Sequence, residues 1–422
     1  MMTHSGLRRK TTLAAALALL APAALAGQAA ARPEPPTRTY WVYVGAESAD
    51  LLHRIRFGPG GAVVEKTFEV GEQAAEMEGP HGLQVSPDGK FLFMTTGHGA
   101  PDGKFWKYAI PADTLVGPGI FLGNFPASID VTPDGLYAIS ANFNAHGDMV
   151  PSSQSVVYTP DNVEVARIVT CVMPHGSRVS PDGRRQYSGC MMDDQLVEID
   201  MVNFRVSRRF SLAKGKEGPI SMAGDAPMAT AHTHANGRSH QHDAPAAPTG
   251  SAPAAPVVDP AEVGYGADGH AGHVMAPQSC SPTWAQPSAE GDKVYVACNK
   301  ADEILEVDVE RWAVSRRFRT GRGPYNLAVT PDGTKLLATL KQGAAFEVFD
   351  LATGRSVAQI KNSTTVSHAV VASPDSRYAF VSSEGVGAQP GKVDIYDLKA
   401  LAKVATVDVG QQAGGMAFWK MQ

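Results

Sequence analysis

The sequence predicts an all-β chain: a seven-bladed β-propeller closed by its N- and C-terminal strands, with a long disordered insertion between blades 4 and 5. Three observations predict it. A hairpin segment recurs six times, further extended runs follow each copy, and the two chain ends carry the strands that six copies leave over.

The chain begins with "LRRKTTLAAALALLAPAALAG": a basic start (Arg8, Arg9, Lys10), an apolar run too short to span a bilayer, and Ala24-Leu25-Ala26 at its close. Residues 1–26 read as a signal peptide for export to the periplasm or the medium, and 27–37 as a linker. The paired arginines are compatible with twin-arginine export, although threonines follow them, and no Cys after the cleavage site offers a lipid anchor. No later run is long and apolar enough for a membrane helix. The net charge of −5 argues against a nucleic-acid partner.

Residues 38–422 form the propeller. "YWVYVGA", "LLHRIRF" and "AVVEKTF" supply three strands without an inner partner. The repeats then start at "PHGLQVSPDGKFLFMTT" (80–96), "PASIDVTPDGLYAISAN" (126–142) and "PHGSRVSPDGRRQYSGC" (174–190). After the insertion come "PTWAQPSAEGDKVYVAC" (282–298), "PYNLAVTPDGTKLLATL" (324–340) and "SHAVVASPDSRYAFVSS" (367–383). Each pairs two alternating apolar runs through a turn, usually Pro-Asp-Gly. Four strands recurring every 42 to 48 residues make a propeller blade. "GGMAFWKM" at the C-terminus is a lone inner strand, and with the three N-terminal strands it completes a blade that leaves no open edge.

"VYVACN" (294–299) and "YAISAN" (137–142) resemble the YVTN family of seven-bladed propellers. That resemblance implies the fold. Similar propellers range from surface-layer and binding proteins to lactonases and to domains of nitrous oxide reductase, cytochrome cd1 nitrite reductase and amine dehydrogenases, so it does not select an activity. The propeller of nitrous oxide reductase holds a copper cluster with histidines; this sequence has no paired His-His motif of that kind.

Aligned repeats turn sequence positions into places. The residue after each initial Pro opens the innermost strand, and this position holds Gly414, His81, Ala127, His175, Thr283, Tyr325 and His368. Three imidazoles at one repeat position face one axis. His98 and His146 fall in loops that open on the same face, whereas His53 does not. Neutral imidazole suits copper or zinc. The expected metal set is therefore His81, His175 and His368, with His98 and His146 adding a ligand or a supporting shell.

Cys190 and Cys298 share a repeat position in neighbouring blades, and Cys171 and Cys280 each precede the inner strand of the same blades. An even count in an exported chain predicts the disulfides Cys171–Cys190 and Cys280–Cys298, with thiolate metal ligands as the alternative. Met191 and Met192 are either soft copper ligands or packing residues.

The insertion, 213–279, is rich in Ala, Pro, Gly and Ser and cannot bury a core. It carries His232, His234, His240, His242, His270 and His273, with Met222, Met228 and Met275, a composition suited to loose transition-metal capture. The leading expectation is an exported binding protein with a copper site at the channel mouth, zinc being second because Met accompanies His and copper leads the affinity order. Two alternatives stay open: a metal-free interaction module that binds a partner protein on this face, and a propeller oxidoreductase or lactonase-like hydrolase. No nucleophile or general base is assignable from sequence.

Overall fold

A computed structural model describes residues 1–2, 33–72, 76–98, 103–145, 147–222 and 277–422. Residues 3–26 of the expected signal peptide, His146 and the six insertion histidines (His232 to His273) lie outside the described residues, as do Met228 and Met275.

The described residues are almost entirely β, with one 3-10 turn, Glu47–Ala49, as the helical exception. Their strands form six sheets. In the first, Gly61–Glu69, Leu51–Gly58 and Tyr40–Ala46 run antiparallel and Ala413–Met421 pairs with Tyr40–Ala46, so the two chain ends meet as expected. Four more sheets start with the inner strands Pro80–Val85, Pro126–Val131, Pro324–Val329 and Ser367–Ala372. The sixth differs from expectation. It has nine strands, because the units starting at Pro174–Val179 and Pro282–Pro287 are joined by one parallel bridge between Gly176 and Trp284. Gly176 permits the contact: a Cβ there would stand 2.2 Å from the Trp284 ring and 2.4 Å from the Thr283 carbonyl.

The turns explain the recurring Ser/Thr-Pro-Asp-Gly. Ser86 donates to the Asp88 carboxylate, which also accepts the Lys90 N–H, and Gly89 sits at φ +69°. Thr132–Asp134, Ser180–Asp182 and Thr330–Asp332 repeat the device. The Asp side chain satisfies the turn's main chain, and Gly takes the left-handed position at no steric cost.

The core lies between neighbouring sheets. One apolar cluster joins the sheet of Pro80–Val85 to the terminal sheet through Leu83, Met94 and Tyr43. Another joins the terminal sheet to the sheet of Ser367–Ala372, where Tyr378 meets Tyr40 and Phe57 edge to face with centroids 5.1 and 5.0 Å apart. Sheets packed face to face in sequence and closing on the first are a propeller-like arrangement.

Both disulfides are present as expected: Cys171–Cys190 and Cys280–Cys298, with Cα atoms 5.9 and 4.4 Å apart. They indicate an oxidising compartment. Among the described residues, no helix is long and apolar enough to cross a membrane. The expected insertion is ordered at its margins. Gly218–Ile220 adds a strand to Arg205–Ser211, and the main-chain N–H groups of Ser279, Cys280 and Ser281 all donate to Asp194.

Candidate functional site

The inner strands bring His81, His175 and His368 to one place. Their exposures are 7, 3 and 5 %. The His81 ring centroid lies 6.3 Å from that of His175 and 5.4 Å from that of His368, and both His175 and His368 pack against Tyr325 at 5.3 and 5.0 Å. Above them opens a pocket of about 500 Å³. Below them lies a small axial chamber of about 20 Å³, also bordered by the three imidazoles.

Two rings of side chains build the pocket. The first is the expected one, from the start of the innermost strands. The second is the residue that follows the second strand in six of the units: Glu47, Phe143, Met191, Asn299, Lys341 and Glu384. Sequence reasoning missed Glu47, Lys341 and Glu384, although the superposition of hairpins that aligns the histidines also aligns Lys341 and Glu384. Met191, weighed as a ligand or a packing residue, lines this pocket.

Glu47 is the electrostatic centre. Its carboxylate is 2 % exposed and accepts from His81 Nδ1 and from His98 Nε2, each at 2.8 Å. Burial alone would raise its pKa, but the His81 charge and the hydrogen bonds from His81 and His98 outweigh burial and hold the carboxyl well below its ordinary range. His98 therefore stands behind His81 and not beside it.

His175 is fixed by its partners. The Thr283 carbonyl, 2.9 Å from Nδ1, can only accept, so Nδ1 carries the proton. Nε2 then keeps its lone pair and accepts the Tyr325 hydroxyl at 3.0 Å. Burial, then the His81 charge, pushes His175 down to about 3. His368 is likewise held well below its ordinary value, by burial first and by Lys341 and His81 next. Both rings are neutral at physiological pH, the form that ligates a metal. Lys341 pairs with Glu384 at 2.9 Å and lies 4.2 Å from the Tyr325 ring centre. Burial would lower its pKa, but Tyr325 and Glu384 outweigh that and keep it above its ordinary value.

The donor set has features of a metal centre. With metal–nitrogen bonds of about 2.0–2.1 Å, two imidazoles on one ion have centroids roughly 4.5–6.5 Å apart, which includes both distances from His81. His81 and His175 each anchor Nδ1–H on an oxygen, the arrangement that orients metal-bound histidines. His368 Nδ1 is buried without a hydrogen-bond partner. The set is not closed, however. Among the described residues no three His, Cys, Asp or Glu side chains form a group able to hold an ion as they stand. Tyr325 also covers the His175 lone pair. An ion would enter only after the rings swing and Tyr325 turns aside.

Fold and site together define a propeller-like all-β protein with a buried histidine–carboxylate pocket at the end of its central channel. The fold is shared with hydrazine synthase of Kuenenia stuttgartiensis, at a TM-score of 0.55 and 16 % identity over 82 % of this chain and 93 % of that one. No protein-family model and no curated protein matches the chain.

Proposed function

We propose that this protein is an exported seven-bladed propeller of YVTN type that binds a transition-metal ion, copper in preference to zinc, at its channel mouth. In this reading the nine-stranded sheet counts as two blades bridged at Gly176. His81, His175 and His368 hold the ion; Glu47, His98 and the Thr283 carbonyl fix the ring orientations. The observation that carries the reading is the Nδ1 anchoring of His81 by Glu47 and of His175 by Thr283, which leaves Nε2 of each ring as the nitrogen able to ligate. The histidines of 213–279 add looser sites that gather ions near the mouth. A bound copper ion would supply a redox or Lewis-acid centre. This chain's own residues exclude water from it and keep two of its imidazoles neutral.

The test is elemental analysis of protein purified without a histidine tag from copper-replete cells. One copper per chain, retained through dialysis against a weak chelator, is expected; metal-free protein overturns the reading.

A second reading has its own observation. Because Tyr325 covers the His175 lone pair and no ligand set is preassembled, the pocket also suits a metal-free interaction face whose partner inserts a polar side chain between Glu47 and Lys341. Metal-free protein that binds a partner through this face would favour it.

A further inference from the structure

The axial chamber beneath the histidines contains an unusual set of polar atoms. Trp284 Nε1, Asn326 Oδ1 and His368 Nδ1 are all buried, all without a hydrogen-bond partner, and all three residues border the same 20 Å³ space. A buried polar atom left unpaired costs about 1–3 kcal/mol, so three around one chamber call for an occupant. A volume above roughly 10–15 Å³ admits one water-sized particle.

The chemistry of the wall selects its kind. Trp284 Nε1–H can only donate. Arg178, also on the wall, stacks on Trp284 at 4.5 Å and donates to the Ile129 and Ser177 carbonyls; it touches no carboxylate among the described residues, although the charge of buried Asp130 acts on it from the adjacent strand. No carboxylate borders the chamber. Asp130, in the adjacent inner strand, turns its oxygens to Val131 N–H, Val179 N–H and Gln84 Nε2. The Asn326 amide can present its nitrogen in place of its oxygen, since the network decides that assignment, and a neutral His368 can carry its proton on Nδ1. With these choices the chamber offers four donors and one positive charge.

We infer that the chamber is a binding site for a small monovalent inorganic anion of halide size, held by Arg178, Trp284 Nε1, His368 Nδ1 and Asn326. Such an anion adds to Asp130 in offsetting the buried guanidinium. It also does for His368 what Glu47 does for His81 and the Thr283 carbonyl does for His175: it accepts Nδ1–H and leaves Nε2 as the donor. That last role rests on the metal-binding reading; the anion site does not.

Chloride-35 NMR line broadening tests it on the full-length, chelator-treated protein, with gluconate holding ionic strength constant. The expected result is excess broadening that saturates at one chloride per chain. Arg178→Gln and Trp284→Phe should reduce it at least fivefold. Asn326→Asp, which puts a carboxylate in the chamber, should abolish it, while Val202→Ala, at an exposed position away from the chamber, should leave it unchanged. Broadening that does not saturate, or that is equal in folded Trp284→Phe, means the chamber holds only water and overturns the inference. A second arm compares copper affinity in chloride and in gluconate: tighter binding in chloride supports the link to His368, and equal affinity removes that link. If the protein binds chloride but no copper, the metal reading alone fails.

Discussion

His81 Nδ1 and Glu47 Oε2 stand 2.8 Å apart, both side chains buried, in a contact between an inner strand and the turn after Tyr40–Ala46, the second strand of the terminal sheet counted from its inner strand. One carboxylate thereby ties the unit starting at Pro80 to the sheet that closes the circle. Replacing Glu47 with Ala leaves His81 and His98 without their shared acceptor. The expected loss of folding stability is about 3 kcal/mol, the scale for breaking a buried pair. Urea unfolding at neutral pH measures it, and a loss under about 0.5 kcal/mol, as for a surface position, would contradict the role assigned to Glu47.

The same carboxylate gives a pH dependence. Its pKa is depressed in the folded state, so the unfolded chain binds more protons as the medium is acidified. The contribution is fully present above the unfolded value near 4.5 and is lost as pH falls toward the folded value. Glu47→Gln should unfold with a shallower dependence on pH than the parent below about pH 4.5. Parallel curves would contradict this.

His175 and His368 act in a higher window. Both are kept neutral by burial, so below the ordinary histidine value of 6.5 the unfolded chain takes up protons that the folded chain refuses. Stability is greatest above that pH and falls with acidification, for His175 down to about 3. Each ring contributes at most about 1.4 kcal/mol per pH unit in that range. His175→Gln should flatten the stability curve between pH 6.5 and 4.5, above the range where Glu47 titrates. A curve as steep as the parent's there would show that His175 is not held neutral.

Thiol titration of the denatured, unreduced protein should find no free thiol, because all four cysteines are paired. The bridges close loops of sequence separation 19 and 18. On the chain-entropy scale each contributes about 3 kcal/mol, so replacing one pair by Ala should lower the unfolding midpoint clearly while leaving the fold intact. Four free thiols in protein from the exported fraction would contradict the pairing.

Much of the fold can be read in the sequence because it is written as a repeat. Six Pro- or Ser-initiated hairpins with polar turns place Pro80–Val85 through Ser367–Ala372, and superposing them puts His81, His175 and His368 at one position before any coordinate is known. The parallel bridge at Gly176 could not be read, since it depends on how closely two inner strands approach. Glu47 was missed because its unit is split between the chain ends and has no hairpin to align. The burial of His175 could not be read either: it is 3 % exposed with both nitrogens bonded, so His175→Ala should cost about 1–3 kcal/mol even without metal.

The most direct test of the metal-binding claim is a competition titration of copper into the full-length, chelator-treated protein, fitting the tightest site. The parent should bind one ion, and His175→Ala should bind it more than tenfold more weakly, over about 1.4 kcal/mol. Thr283→Ala occupies the same repeat position in the next unit and keeps the carbonyl that anchors His175, so it should bind like the parent. Equal affinity in the parent and in a triple His81→Ala, His175→Ala, His368→Ala variant, both shown to be folded, would mean that the tightest copper lies elsewhere and that the three histidines are only scaffold.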